Sequence, residues 1–241
     1  MSYLLYCIFG SSVEPDLRIP PGVGGKPVFV VAHDGLSAAL SELSESPLAP
    51  DALQTVAYER VVEAFHGSTS VIPMRYGCQI TDQAEVVRLL EKRREEYETL
   101  LRELAGVVEM GIQVLPRASG SEREAQPFPT ISPATMTGAA YLEARRQYFL
   151  RLDQADLDQR RLVADLCNRL AGVYVHHKVA VPDSRSGHPL LAYFLVPRGS
   201  LESFRQVARQ LCSRFSLKML VSGPWPPYNF VDSLASIQRA P

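Results

Sequence analysis

Histidine, cysteine and carboxylate side chains are where chemistry would begin in this chain, and their spacing argues against it. His176 and His177 are adjacent in the alternating run Val173 to Val181, which reads as a strand. Neighbours on a strand point to opposite faces, so the two imidazoles cannot readily share a metal ion. His188 can approach one of them across a hairpin, yet two imidazoles fall short of a zinc site, and His33 and His66 read as surface or structural. Cys7, Cys78, Cys167 and Cys212 lack the close pairing of a zinc knuckle or a redox loop. In their apolar or helical settings they read as buried, reduced thiols. No serine stands in a nucleophile elbow. Gly22-Val23-Gly24-Gly25-Lys26 has the glycines of a phosphate loop, but not its strand–loop–helix setting or the following Ser or Thr. Asp153, Asp156 and Asp158 read as solvated charges or helix caps. The expectation is a protein that is not an enzyme, with no cofactor and no metal.

Composition points the same way. The 241 residues carry 25 Lys and Arg against 26 Asp and Glu, a net charge of -1. Phosphate neutralisation dominates non-specific nucleic-acid affinity, and this balance supplies no global attraction. Tyr174, His176 and Lys178 share one strand face and imitate the base-stacking surface of an RNA module. A ligand- or RNA-binding regulatory module is therefore the alternative reading, with no nucleic acid expected under the main one. The Tyr3 to Phe9 run follows no positive n-region and is too short and β-rich for a signal peptide. No stretch reaches the length of a membrane span, so no membrane insertion is expected.

The elements that must position these residues follow from periodicity. Tyr3 to Phe9 reads as a buried first strand. Residues 11–27, with four prolines and three glycines, form a loop. Val28 to Val31 reads as a second strand, and Leu36 to Leu43 as a brief helix. A clearer helix follows Asp51, with Gln54 as capping-box partner and Leu53, Val56, Ala57, Val61, Ala64 and Phe65 on one face. Ser70 to Tyr76 is an edge or bulged strand because Pro73 removes a ladder donor. Asp82 and Glu85 open a helix running to about residue 105, whose charged run, Glu91 to Glu96, reads as its solvated face. Val107 to Leu115 is a strand, residues 116–135 a surface loop, and Gly138 to Leu170 a long helical stretch. The Val173 to Val181 strand, a strand over Leu190 to Val196, a helix over Leu201 to Phe215 and a strand over Leu217 to Val221 complete the chain.

The second half thus runs strand, helix, strand, strand, helix, strand, the order of a ferredoxin-like split βαβ domain. The first half suggests the same plan less clearly. The expected class is α+β: two ferredoxin-like domains over 1–105 and 106–222, antiparallel sheets each covered by helices, and an aromatic, proline-rich C-terminal tail over 223–241.

Three segments carry a resemblance. Gly223-Pro224-Trp225-Pro226-Pro227-Tyr228-Asn229-Phe230 is similar to the Gly-Pro-Trp-Pro-Pro-Tyr-Asn-Phe signature of the gas vesicle protein F/L family. Pro73-Met74-Arg75-Tyr76-Gly77 resembles that family's Pro-Met-Arg-Phe-Gly segment, with Tyr76 where Phe is usual. Gly106-Val107-Val108-Glu109-Met110-Gly111 begins a match to its Gly-x-x-Glu-x-Gly-x-x-Val segment, with Gln113 where Lys is common. The resemblance spans the whole chain. It implies two ferredoxin-like domains and a tail that packs back on the first. It also implies a non-enzymatic assembly or minor structural component of gas vesicles, present in the cytoplasm during assembly. The implied partners are the hydrophobic shell protein and other accessory proteins. On these segments Arg75, Glu109, Trp225, Tyr228 and Phe230 are the candidate structural or partner-contact residues. Prolines that restrict the backbone and large rings with few rotamers suit an ordered anchor. Arg75 is expected to pair with Glu109 at the domain junction.

Overall fold

A computed structural model describes residues 2–11, 17–43, 51–114, 138–180, 190–215 and 219–231. The described elements are β1 (Ser2–Gly10), β2 (Val28–His33), β3 (Leu36–Leu43), α1 (Ala52–Ser68), β4 (Val71–Pro73), β5 (Gln79–Ile80), α2 (Gln83–Lys92), α3 (Arg94–Glu103), β6 (Val107–Val114), α4 (Gly138–Leu170), β7 (His176–Ala180), β8 (Leu190–Pro197), α5 (Leu201–Phe215) and β9 (Met219–Trp225). One sheet runs β2-β3-β1-β4, with β5 also on β1; the other runs β7-β8-β6-β9. The chain divides into two compact units. Unit 1 is Met1–Glu109 with Gly223–Pro241, and unit 2 is Met110–Ser222.

In unit 1, β1 is buried along almost its whole length because β3 flanks it on one side and β4 and β5 on the other. Leu36 to Leu43 is a strand and not the expected helix. The cause is the Asp34-Gly35 pair, with φ of 50° and 88°, which turns β2 back onto β3. Asn-Gly and Asp-Gly pairs favour this hairpin turn because both central residues need positive φ. Three strands therefore precede the first helix, and unit 1 does not follow the strand–helix–strand order expected of it.

The α1 helix begins where Asp51 Oδ1 accepts the Leu53 N–H at 3.1 Å. Gln54 is not the capping partner; its Oε1 accepts the Tyr76 hydroxyl at 3.1 Å. The buried face is Tyr58, Val61, Val62 and Phe65, so Leu53 and Val56 stay exposed at 80% and 49%. Tyr58 moves the stripe: its ring stacks on Tyr6 with centroids 4.8 Å apart, and that contact sets the rotation of the helix. The helix expected over 83–105 breaks at Arg93, where φ is -119°, into α2 and α3. Arg93 also departs from the solvated face expected of its charged run. It bonds Glu96 through two nitrogens, at 2.6 and 2.7 Å, and lies over the Tyr97 ring. The run over Gly22 to Lys26 closes on itself, Gly22 N–H donating to the Lys26 carbonyl at 2.8 Å.

In unit 2 the order is strand, helix, strand, strand, helix, strand, ending in β9. Leu166 and Leu170 of α4 and Phe204, Ala208 and Leu211 of α5 are buried, as are Ala192, Phe194 and Val196 of β8. β7 begins at His176, three residues later than alternation suggested. Tyr174 lies ahead of it, its ring T-shaped to Phe194 with centroids 5.1 Å apart and its hydroxyl bonded to the Cys167 carbonyl. β9 runs through Gly223 and Pro224 to Trp225, beyond the stop expected from its prolines. It ends the strand order, and an edge strand has a side on which a missing N–H costs no ladder bond. The loop expected over 116–135, the Asp153, Asp156 and Asp158 side chains and His188 lie outside the described residues.

Candidate functional site

The residues that the sequence singles out near the C-terminus lie in a clasp within unit 1. After Trp225 the chain turns: Tyr228 N–H donates to the Pro226 carbonyl at 2.8 Å and Phe230 N–H to the Pro227 carbonyl at 3.1 Å. Pro226 and Pro227 are buried, Val231 is buried, and Tyr228 packs against the core that holds Tyr6, Tyr58, Val62 and Phe65. Two carboxylates of unit 1 hold the turn. Tyr228 Oη donates to Glu59 Oε2 on α1 at 2.9 Å. Asn229 donates twice to Glu109 on β6, its backbone N–H to Oε2 at 2.8 Å and Nδ2 to Oε1 at 2.6 Å. Glu109 is only 4% exposed. A buried carboxylate is tolerated when donors satisfy its oxygens, and Asn229 supplies one to each.

Beneath the clasp lies a phenol cluster. Tyr58 Oη sits 2.7 Å from the Met74 carbonyl, 3.0 Å from that of Leu5 and 3.1 Å from that of Tyr6. Its single proton goes to one acceptor at a time, and all three of these partners are carbonyl acceptors. Tyr6 Oη accepts the Val23 N–H and shares a bond with Ser41 Oγ, each at 2.9 Å. Tyr76 meets Tyr58 edge-on with centroids 5.5 Å apart. At Gly22 an added Cβ would lie 2.3 Å from Tyr6 Oη, so glycine is what lets this loop reach the hydroxyl.

Burial dominates the electrostatics of the cluster. Burial raises the Tyr58, Tyr228 and Tyr97 hydroxyls, and burial raises the Cys7 thiol and pushes the Cys78 thiol up to about 11. Burial also raises the Glu59 carboxyl; the Tyr228 bond opposes this and the neighbouring Glu63 charge adds to it. Among the described residues no group of three or more His, Cys, Asp or Glu side chains could hold a metal. His176 and His177 are both exposed at the start of β7. All four cysteines are free, with Cys212 half-buried and the others buried.

The clasp brings Glu109 and Tyr228 into one structure, with Phe230 half-buried at its end. Trp225 precedes the turn and remains 42% exposed. Arg75 lies exposed in the turn after β4, where its carbonyl accepts the Cys78 N–H at 3.1 Å. Glu59 and Asn229 were not singled out from the sequence. Asn229 stood inside the C-terminal signature, overshadowed by the rings beside it. Glu59 is one carboxylate among many on a helix, and no local pattern marks it.

Comparison with known proteins bears on the fold and the family. The chain is 28% identical over 232 residues to gas vesicle protein L of Streptomyces sp. (strain CB03234), covering 87% of this chain and 85% of that protein. It is 28% identical over 246 residues to gas vesicle protein F of the same organism, covering 96% of this chain and all of that protein. Its fold is similar to the crystal structure of the gas vesicle protein GvpF from Anabaena sp. PCC7120, with a TM-score of 0.76 and 17% identity over 95% of each chain. The family model for gas vesicle synthesis protein GvpL/GvpF matches residues 2–232, and this chain belongs to that family.

Proposed function

We propose that this protein is a non-enzymatic assembly factor or minor structural component of gas vesicles that binds the hydrophobic shell subunit and limits its aggregation while vesicles nucleate. The observation that carries the reading is the family match across nearly the whole chain. The exposed apolar side chains support it: Leu53 and Val56 at the start of α1, and Trp225 beside the clasp. Covering an aggregation-prone partner needs complementary apolar area and no reaction. Other accessory proteins of the vesicle are further partners. The site of action is the vesicle, reached from the cytoplasm during assembly, with no membrane insertion and no nucleic acid.

The element order of unit 2 supports reading it as ferredoxin-like. The RNA-binding alternative loses ground because Tyr174 lies ahead of β7 and packs against Phe194, rather than standing on a strand face with His176 and Lys178. The test is a pull-down with the tagged full chain from cells expressing a gas vesicle gene cluster. Recovery of the shell subunit is the expected result. A folded chain that recovers no vesicle protein would refute the proposal.

A further inference from the structure

The segment from Pro226 to Val231, just past the end of β9, is held by its own side chains and turn rather than by strand pairing. It belongs to unit 1, while the chain up to Ser222 belongs to unit 2. Its hold on unit 1 includes five of its six residues: the buried Pro226 and Pro227, the Tyr228 hydroxyl on Glu59, the two bonds from Asn229 to Glu109, and the buried Val231. None of these bonds is a strand pairing that depends on β9. Adjacent prolines leave the free segment few conformations to lose on docking. The segment leaves the sheet where β9 ends, at Trp225, and the first of its buried prolines follows directly.

We propose that the seat formed by Glu59 and Glu109 is an exchangeable docking site whose second occupant is the Pro-Pro-Tyr-Asn segment of another copy of this chain, so that two chains swap tails. The same contacts form in either arrangement, so exchange costs little beyond association entropy. The resident tail has an effective concentration on the order of millimolar from its short tether. The closed monomer therefore dominates in dilute solution, and swapped pairs grow as chains crowd together, as they do on one growing assembly.

The experiment uses a fluorescent peptide of residues 223–231 and the full-length chain. Saturable binding is expected, tightened tenfold or more when the chain's own tail carries Asn229→Ala, and weakened when the seat carries Glu109→Gln. No saturable binding to the Asn229→Ala chain, with its circular dichroism unchanged, overturns the proposal. Should that variant fail to fold, cross-linking an equal mixture of light- and heavy-isotope wild-type chains decides. Mixed-isotope links between the tail and α1 that increase with concentration support exchange, and exclusively same-isotope links at every concentration overturn it.

Discussion

Glu59 and Tyr228 show how one hydrogen bond can carry two opposite electrostatic effects. The bond stabilises the tail, yet burial disfavours the ionised Glu59 carboxylate that accepts it. A carboxyl raised on folding contributes stability that is fully present below its unfolded pKa, and lost as pH rises through the folded value. The clasp should therefore tighten slightly on acidification through the ordinary Glu range, as far as Glu59 alone decides. Glu59→Gln keeps an acceptor for Tyr228 and removes the charge; it should leave thermal stability unchanged or raised and flatten that pH dependence. Tyr228→Phe removes the donor and leaves Glu59 partly buried without it, a loss of about 1–2 kcal/mol. Urea unfolding of both variants across pH 4 to 7, with amide exchange at residues 228–231, checks the pair. The buried phenols make a separate prediction at high pH. Tyr6, Tyr58, Tyr97 and Tyr228 are all raised, chiefly by burial. Their stability is intact below the ordinary tyrosine value of ~10 and drains away above it. Phenolate absorbance from these rings should appear only together with loss of secondary structure, and early titration in the folded chain would contradict the packing described.

Strand β1 and the loop from Gly22 to Lys26 depend on each other through the Tyr6 hydroxyl. Gly22→Ala forces a Cβ to within 2.3 Å of that oxygen and should cost about 1–3 kcal/mol. Tyr6→Phe removes the oxygen but strands the Val23 N–H, so it costs a similar amount alone. The double variant should lose clearly less than the sum, because the clash and the hydroxyl disappear together. Additive losses in denaturant melts would mean that the loop does not approach Tyr6 as described. These elements were unequally legible in the sequence. The dense apolar run of β1 and the spacing of Phe204 and Leu211 on α5 carry their burial on their face. The β2–β3 hairpin was missed: Asp34-Gly35 marks its turn, but Ala38, Ala39 and Leu40 look helical in isolation. Helix propensity is a weak prior that tertiary pairing overrides, and β1 and β2 pair with both edges of β3. The rotation of α1 was less accessible, because it turns on Tyr58 stacking over a strand 52 residues earlier. The clasp was least accessible: its bonds join residues 169 and 120 positions apart, and neither Glu59 nor Asn229 differs locally from any solvated polar residue.

At the scale of the molecule, unit 1 is completed by a segment from the far end of the chain, and loosening that segment should be felt in its core. Asn229→Ala removes the Nδ2 bond to Glu109 Oε1, in a residue only 4% exposed, and should cost about 1–3 kcal/mol. Amide exchange should speed up around Glu109 and the rest of the tail, with β7 and β8 unaffected. Binding of the shell subunit is the claim on which the functional account stands. Its most direct measurement is light scattering from purified shell subunit diluted out of denaturant, with and without an equimolar amount of the intact chain. The account predicts delayed and reduced scattering, and a soluble complex of the two proteins on gel filtration. Unchanged scattering and separate elution, with the chain folded, would contradict it.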